Sequence, residues 1–118
     1  FTEMAEKVAE CQDTDGIWHA SMLAHESFPN PETSSSSFFC YALSYGINSG
    51  LLDKEMYTPV VNKAWQALVS AVHSDGKLGW VQPIGENPKN VTSEMTEVYG
   101  VGAFLLAGSE MMILSQNN

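Results

Sequence analysis

The sequence predicts an all-α fold built from pairs of helices joined by long loops. Apolar side chains recur every three or four residues in four segments, which is the spacing of one face of a helix. Serine, proline and glycine stand where these segments begin and end. An Asp-Gly turn followed by a tryptophan occurs twice, 60 residues apart at positions 15 and 75. Such a recurrence is typical of solenoids and toroids made of helix pairs.

The first helix is predicted over residues 1–11. Its apolar side chains fall at i, i+3, i+4 and i+7, at Phe1, Met4, Ala5 and Val8. No capping residue precedes Phe1, because the helical pattern is already present at the first position. We therefore expect the chain to be a piece of a longer helical protein.

A polar, turn-rich loop follows over residues 12–33. It contains the dipeptide Asp15-Gly16 and the tripeptide Pro29-Asn30-Pro31, both of which favour turns. Loops of this length inside compact domains are commonly functional, so we expect a site here.

Two helices are predicted after this loop. The serines at positions 34–37 are candidate N-caps of the first, and Gly50 has the position of its left-handed C-terminal cap. The second helix is predicted from about residue 53 or 58 to residue 73, with Pro59 in its first turn. A turn, a short extended piece and a polar loop follow over residues 74–90.

The last helix is predicted over residues 98–114. It is apolar on nearly every side, which is typical of a helix enclosed by others. Gly100, Gly102 and Gly108 would weaken this helix in isolation. We therefore expect tight contacts with neighbours that only a larger body provides.

The composition is acidic. The chain carries 14 acidic and 5 basic residues, which gives a net charge of −9 and disfavours binding to nucleic acid or to an anionic membrane. Its apolar runs are shorter than a membrane span, so we expect a soluble protein. Cys11 and Cys40 lack metal-type spacing, and Cys40 is expected to be a buried thiol. We predict no metal site and no cofactor.

Four residues are candidates for binding a sugar. Trp18 and Trp80 offer aromatic faces for stacking, while His19 and Glu32 offer groups that hydrogen-bond hydroxyls. Each also has a plain structural explanation: a tryptophan can plug the helix pack, a histidine can bond to the backbone, and a glutamate can cap a helix. These residues support a carbohydrate site as a group rather than singly.

Glycoside hydrolysis commonly needs two carboxylates set about 5–10 Å apart. The loops offer Asp15, Glu32, Glu94 and Glu97, but their spacing in the sequence selects no pair. Capping of the last helix is the simpler interpretation for Glu94 and Glu97. Lys77 is either a partner for an acidic sugar or a solvated side chain.

The order of four segments along the chain carries a family resemblance. They are Asp15-Gly16-Ile17-Trp18-His19, Pro31-Glu32-Thr33-Ser34-Ser35-Ser36, Gly46-Ile47-Asn48-Ser49-Gly50-Leu51-Leu52 and Tyr99-Gly100-Val101-Gly102-Ala103-Phe104. In this order they resemble family 105 of the glycoside hydrolases, which is related to family 88. The segments span nearly the whole chain.

The resemblance implies that residues 1–118 are the C-terminal segment of a single (α/α)6 six-hairpin toroid. It implies an enzyme that removes the unsaturated uronic acid from rhamnogalacturonan-type oligosaccharides, by hydration of the C4=C5 double bond and collapse of the resulting hemiketal. The general acid/base aspartate of that scheme would precede these motifs. No catalytic residue is therefore expected in this chain, and the chain alone is expected to be inactive.

The resemblance also implies the partners, which are an oligosaccharide substrate and the remainder of the toroid. Trp18, His19 and Glu32 match motif positions where the toroid's pocket opens, so they are expected to shape it. Trp80 begins a segment that departs from the best-described family members, which leaves the exact sugar open. The sequence does not select between a bacterial cytoplasm and periplasm.

Three other functions stay open at this point. The chain could be a non-catalytic carbohydrate-binding segment that uses the same two tryptophan loops. It could be a helical-repeat interaction module, as the recurrence at positions 15 and 75 suggests. A different lyase or an epimerase on the same toroid is also open, because one fold hosts many activities.

Overall fold

A computed structural model describes residues 1–117 of the chain. These residues form four α-helices, α1 (Thr2–Glu10), α2 (Thr33–Asn48), α3 (Lys54–Ser70) and α4 (Val98–Gln116), with short 3-10 turns at His25–Ser27 and Pro88–Asn90. Extended pairing within the described residues is limited to one isolated bridge between Val72 and Leu78. The all-α prediction is confirmed.

Carboxylates set the starts of α2 and α3. Glu32 precedes α2, and its side chain accepts hydrogen bonds from the backbone N–H groups of Ser34 and Ser35. The predicted serine caps are therefore wrong, because the glutamate lies one residue before the helix and satisfies two free N–H groups at once. Asp53 caps α3 in the same way, by accepting from the N–H of Met56 at 2.8 Å.

Pro59 lies inside α3 rather than in its first turn. The helix begins at Lys54, directly after the Asp53 cap, so the later of the two predicted starts is wrong. Because proline has no N–H, the helix lacks one internal hydrogen bond at this position.

The chain consists of two successive helix–loop–helix units, α1–loop–α2 and α3–loop–α4. Each loop opens with an Asp-Gly turn of the same geometry. The aspartate carboxylate accepts the backbone N–H two residues later, at 2.9 Å for Asp15 and 3.0 Å for Asp75. The following glycine has a φ of 91° at Gly16 and 90° at Gly76. The recurrence predicted from the sequence is confirmed in its turns.

The tryptophans of the two units are not equivalent. Three positions after the aspartate, Trp18 in the first unit and Leu78 in the second are both buried. Trp80 lies two residues further along and is only half-buried. The equivalence of Trp18 with Trp80 that the sequence suggested is therefore wrong. The equivalent positions of the two units are the ones buried in the helix pack, and they carry different residue types.

The core lies around α2, which packs against α3 and most extensively against α4. Its fully enclosed side chains include Cys40, Leu43, Val61, Ala64, Leu68, Ala107 and Leu114. Trp18 joins this core from the first loop. Its indole N–H donates to the carbonyl of Val8 at 2.7 Å, and its ring meets the edge of Phe39 at 5.4 Å between centroids.

One face of α4 is left uncovered by residues 1–117. Its exposed large apolar side chains are Val98, Leu105, Leu106, Met112 and Ile113. Within the described residues, α2 and α3 cover only the side that carries Ala103, Ala107 and Leu114, and enclosure of this helix in a larger body stays a prediction. An open apolar groove of about 330 Å³ also lies between α1 and α2, lined by Phe1, Met4, Val8, Phe38 and Tyr41 among others.

By length and composition alone, α4 could cross a membrane. Its mean hydropathy is 1.5, and 28% of its residues are buried. Ser109 and Glu110 interrupt its apolar run, and core helices of soluble proteins also meet these criteria. Polar contacts tie the helix to α2: the Asn48 amide donates to the carboxylate of Glu110 at 2.8 Å and to its carbonyl at 2.9 Å.

Two glycines of α4 allow close approach. A Cβ at Gly100 would lie 2.5 Å from a methyl group of Val81, and one at Gly108 would lie 3.0 Å from the ring of Trp65. A Cβ at Gly102 would meet open space. The predicted tight contacts are confirmed at Gly100 and Gly108, and a contact at Gly102 stays a prediction.

The buried leucine of α3 provides a test of this core. Leu68 is fully enclosed, so we expect Leu68→Ala to lower the free energy of unfolding by about 2–5 kcal/mol, through lost burial and the cavity left behind. Leu51→Ala is the matched control because Leu51 is 53% exposed. Urea unfolding followed by circular dichroism measures both. Equal losses in the two variants would contradict this packing.

Cys40 provides a second test, based on ionisation. Burial raises the pKa of the Cys40 thiol to about 12 from an ordinary 9.0. Because only the thiolate reacts, we expect Cys40 in a Cys11→Ser variant to resist alkylation at pH 8 until urea unfolds the protein. The raised pKa also means that the stability contributed by the protonated Cys40 thiol is complete below pH 9 and falls as the pH rises toward 12. Rapid labelling of the native protein would contradict the burial.

Candidate functional site

The two long loops meet along one end of the helix pack. The backbone N–H of Thr33 donates to the carbonyl of Trp80 at 3.0 Å, and the Thr33 hydroxyl donates to the carbonyl of Gly79 at 2.8 Å. The Asn30 amide donates to the carbonyl of Val91 at 3.2 Å. All four predicted sugar-binding residues therefore lie on or next to one joined loop surface.

Trp18 lies beneath this surface rather than on it. Its side chain is 0% exposed, and its N–H is already bonded to the backbone of α1. Neither face of the indole is open to a ligand in this arrangement. The residue fixes the first loop to the helices, since its own backbone N–H also donates to the hydroxyl oxygen of Ser36 at 3.0 Å.

Glu32 is a buried carboxylate whose hydrogen bonds are all made with neighbouring groups of the protein. It accepts the N–H of Ser34 at 3.1 Å and that of Ser35 at 2.8 Å, and both serine hydroxyls donate to it, at 2.6 and 2.7 Å. The N–H of Gln82, from the second loop, lies 3.4 Å from the same carboxylate. Glu32 therefore joins the start of α2 to the second loop.

Trp80 is the predicted aromatic residue that reaches an open cleft. Within residues 1–117 it is the one non-glycine residue with a positive φ, at 59°, a conformation that is uncommon for bulky side chains. The cleft has a volume of about 290 Å³ and is also lined by Asp15, Ile17, Pro31 and Ala67. The bond from Thr33 to the Trp80 carbonyl holds the backbone in this strained form.

His19 is buried between the backbone and two carboxylates. Its Nδ1 lies 2.9 Å from the carbonyl oxygen of Asn30. Its Nε2 lies 3.0 Å from Asp15 Oδ2 and 3.3 Å from Asp13 Oδ2. A second histidine, His25, places its Nδ1 3.5 Å from the same oxygen of Asp13.

The cluster of Asp13, Asp15, His19 and His25 opens on a cleft of about 390 Å³, which Glu26 and Pro29 complete. The backbone N–H of Thr14 donates to Asp13 and lowers the pKa of that carboxyl, and the two histidines lower it further. Asp13 and His25 are residues that the sequence analysis missed. They lie six positions on either side of His19 in an irregular loop, where spacing carries no signal of proximity.

The second loop holds an ion pair between two of its charged residues. Lys77 bonds Glu94 at 2.8 Å, and this contact lowers the pKa of the Glu94 carboxyl. His73 Nε2 lies 2.7 Å from the carbonyl of Ser93. Glu94 pairs with Lys77 and does not cap α4, whereas Glu97 occupies the N-cap position of α4 but makes no side-chain cap bond.

Comparison with known proteins identifies relatives along nearly all of the chain. The sequence model of Glycosyl Hydrolase Family 88 matches residues 1–115. The unsaturated 3S-rhamnoglycuronyl hydrolase of Formosa agariphila is 44% identical over 116 residues, which are 98% of this chain and 31% of that protein.

Solved structures share the same arrangement. A family 88 glycosyl hydrolase from Bacteroides vulgatus matches with a TM-score of 0.90 and 42% identity, over 94% of this chain and 33% of that protein. A protein named as a polysaccharide lyase matches with a TM-score of 0.90 and 46% identity, over 98% of this chain and 33% of its own length. The predicted fold class, an all-α part of an (α/α)6 toroid, is confirmed by this likeness, and the chain spans about a third of these relatives.

The buried cap provides a test of the joined loops. Glu32→Ala removes an acceptor from two N–H groups and two hydroxyls, so we expect the free energy of unfolding to fall by about 1–3 kcal/mol. Glu86→Ala is the control because Glu86 lies exposed in the second loop, and its loss should stay within about 0.5 kcal/mol. If urea unfolding gives the same free energy of unfolding for both variants, Glu32 does not join the loops.

Proposed function

Because the chain belongs to Glycosyl Hydrolase Family 88, as its resemblance to families 105 and 88 predicted, we propose that it is part of an unsaturated glycuronyl hydrolase. The substrate class is an oligosaccharide with an unsaturated uronic acid at its non-reducing end, of the rhamnogalacturonan type or a related rhamnose-containing type. The observation that carries the proposal is the family match over residues 1–115, together with a 44% identical relative named for this activity.

The chain is proposed to be the C-terminal segment of a single toroid domain. Two features support its place within a larger toroid. The chain holds two helix–loop–helix units, while the relatives are about three times as long. The uncovered apolar face of α4 and the apolar groove between α1 and α2 offer surfaces on which further helices would be buried.

The proposed chemistry is addition of water across the C4=C5 double bond. A proton adds to C4 and the water oxygen bonds to C5, which gives a hemiketal. The hemiketal then collapses, opens the ring and releases the rest of the oligosaccharide. The aspartate that transfers the proton is proposed to lie outside residues 1–118, as the family resemblance implies. The loop carboxylates Asp15, Glu32 and Asp75 are engaged in turns and a cap, and Glu94 is paired with Lys77.

The residues of this chain are proposed to build one wall of the pocket. Trp80 would contact the sugar, because its ring borders an open cleft. Trp18 and Glu32 would act indirectly. Trp18 fixes the first loop to α1, and Glu32 fixes the second loop to the start of α2. His19 would hold the aspartates of the first loop in place.

A polysaccharide lyase is the second candidate, because a solved structure with that name is 46% identical to this chain. The two activities act on the double bond in opposite directions. A lyase creates an unsaturated uronic acid by elimination, while the proposed hydrolase consumes it. Carbohydrate binding without turnover would leave the double bond unchanged.

The test uses the full-length protein and the ultraviolet absorbance of the unsaturated uronic acid. With lyase-generated rhamnogalacturonan and other rhamnose-glycuronyl oligosaccharides, we expect the absorbance to fall with time. A rise in absorbance with intact polysaccharide would show lyase activity instead. No change with any substrate would leave carbohydrate binding without turnover as the function.

The role of Trp80 is tested in the same assay. Since aromatic contacts contribute about 0.5–1.5 kcal/mol, we expect Trp80→Ala to lower kcat/KM by about two- to tenfold, mainly through KM. Ile84→Ala is the matched control, because Ile84 is 83% exposed in the same loop. Equal kinetics for the two variants would exclude Trp80 from the pocket.

A further inference from the structure

We propose that Asp13, His19 and His25 form a binding site for a divalent transition-metal cation of the zinc class. The ligand atoms are Asp13 Oδ2, His19 Nε2 and His25 Nδ1, which all lie within 4.8 Å of one another. This site is independent of the proposed hydrolase activity, because it lies within the first loop and uses none of its chemistry.

Two of the three distances between the ligand atoms fit a tetrahedral cation. Zinc lies about 2.0–2.1 Å from nitrogen and oxygen ligands, so ligand atoms at the corners of a tetrahedron are about 3.3–3.4 Å apart. The separation from Asp13 Oδ2 is 3.3 Å to His19 Nε2 and 3.5 Å to His25 Nδ1. Two imidazoles and one carboxylate leave a fourth position that faces the open cleft.

The hydrogen bonds of His19 leave Nε2 as the ring nitrogen that can bind a cation. Its Nδ1 lies 2.9 Å from the Asn30 carbonyl, which can only accept, so Nδ1 carries the hydrogen. In the neutral ring, Nε2 then directs a lone pair toward the carboxylates of Asp13 and Asp15. Metal-bound histidines commonly show this pattern, with the other ring nitrogen donating to a backbone carbonyl.

His25 supplies a second, independent observation. Its Nδ1 atom is buried and has no hydrogen-bond partner among residues 1–117, although it points at Asp13. A buried polar atom without a partner costs free energy, and a shared cation would satisfy it. The carboxylate of Asp15, 3.0 Å from His19 Nε2, adds a further negative charge beside the site.

The competing account is a protonated His19 held by two aspartates with no metal. It accounts for the contacts of His19 but leaves His25 Nδ1 without a partner. Only the metal-site account predicts that the protein binds an added cation at this cluster. A bound cation would also cross-link the loop between α1 and α2, since its ligands span residues 13–25.

The test uses the full-length protein, stripped with a chelator and titrated with Co²⁺ as a spectroscopic probe of tetrahedral zinc sites. We expect a visible d–d absorption that saturates at about one equivalent and is displaced by Zn²⁺. Zn²⁺ should also raise the Tm of the stripped protein. Absence of the d–d band from the unmodified protein would overturn the proposal without the need for any variant.

Two variants locate the site. We expect His25→Gln and Asp13→Asn each to weaken Co²⁺ binding at least tenfold, because each removes one of three ligands. His73→Gln is the matched control, since His73 is a loop histidine in the second helix–loop–helix unit and lies outside the cluster. Equal Co²⁺ affinity in His25→Gln and His73→Gln would place the metal elsewhere and overturn the proposal.

Discussion

The buried carboxylate of Glu32 is the contact on which the loop end of the molecule depends. It satisfies the first free N–H groups of α2 and also meets the backbone of the second loop at Gln82. The adjoining Thr33 adds two bonds, to the carbonyls of Gly79 and Trp80. Because these bonds share one short segment, the start of α2, the strained backbone of Trp80 and the cleft beside it are fixed together.

The helices below show the consequence of repeating one unit twice. α2 and α4 occupy equivalent places in the two units and form the most extensive helix contact. Their packing covers only part of each apolar surface, and the rest of α4 stays exposed. An apolar surface of this kind accords with the proposed place of the chain in a larger toroid, where each unit covers the face of its neighbour.

The polar residues of the loops divide into those that support the fold and those that remain open to a ligand. Trp18 and Glu32 have all their bonding directed into the protein, and Lys77 is paired with Glu94. Trp80 and the cluster around His19 border open clefts. Sequence motifs selected the right loops, but they could not distinguish a supporting residue from an exposed one, because burial depends on contacts made across the fold.

The sequence by itself determined the all-α class, the two Asp-Gly turns and the family, because helix periodicity, turn chemistry and motif order are local properties of the chain. It offered Glu32 as a cap of α2 without selecting it over the serines, and it did not determine the contact of Glu32 with the second loop or the equivalence of Trp18 with Leu78. Nor did it bring Asp13 and His25 to His19, since irregular loops have no period from which such proximity can be read. Only the tertiary structure decided these features, because each depends on contacts between segments far apart in the sequence or on the path of an irregular loop.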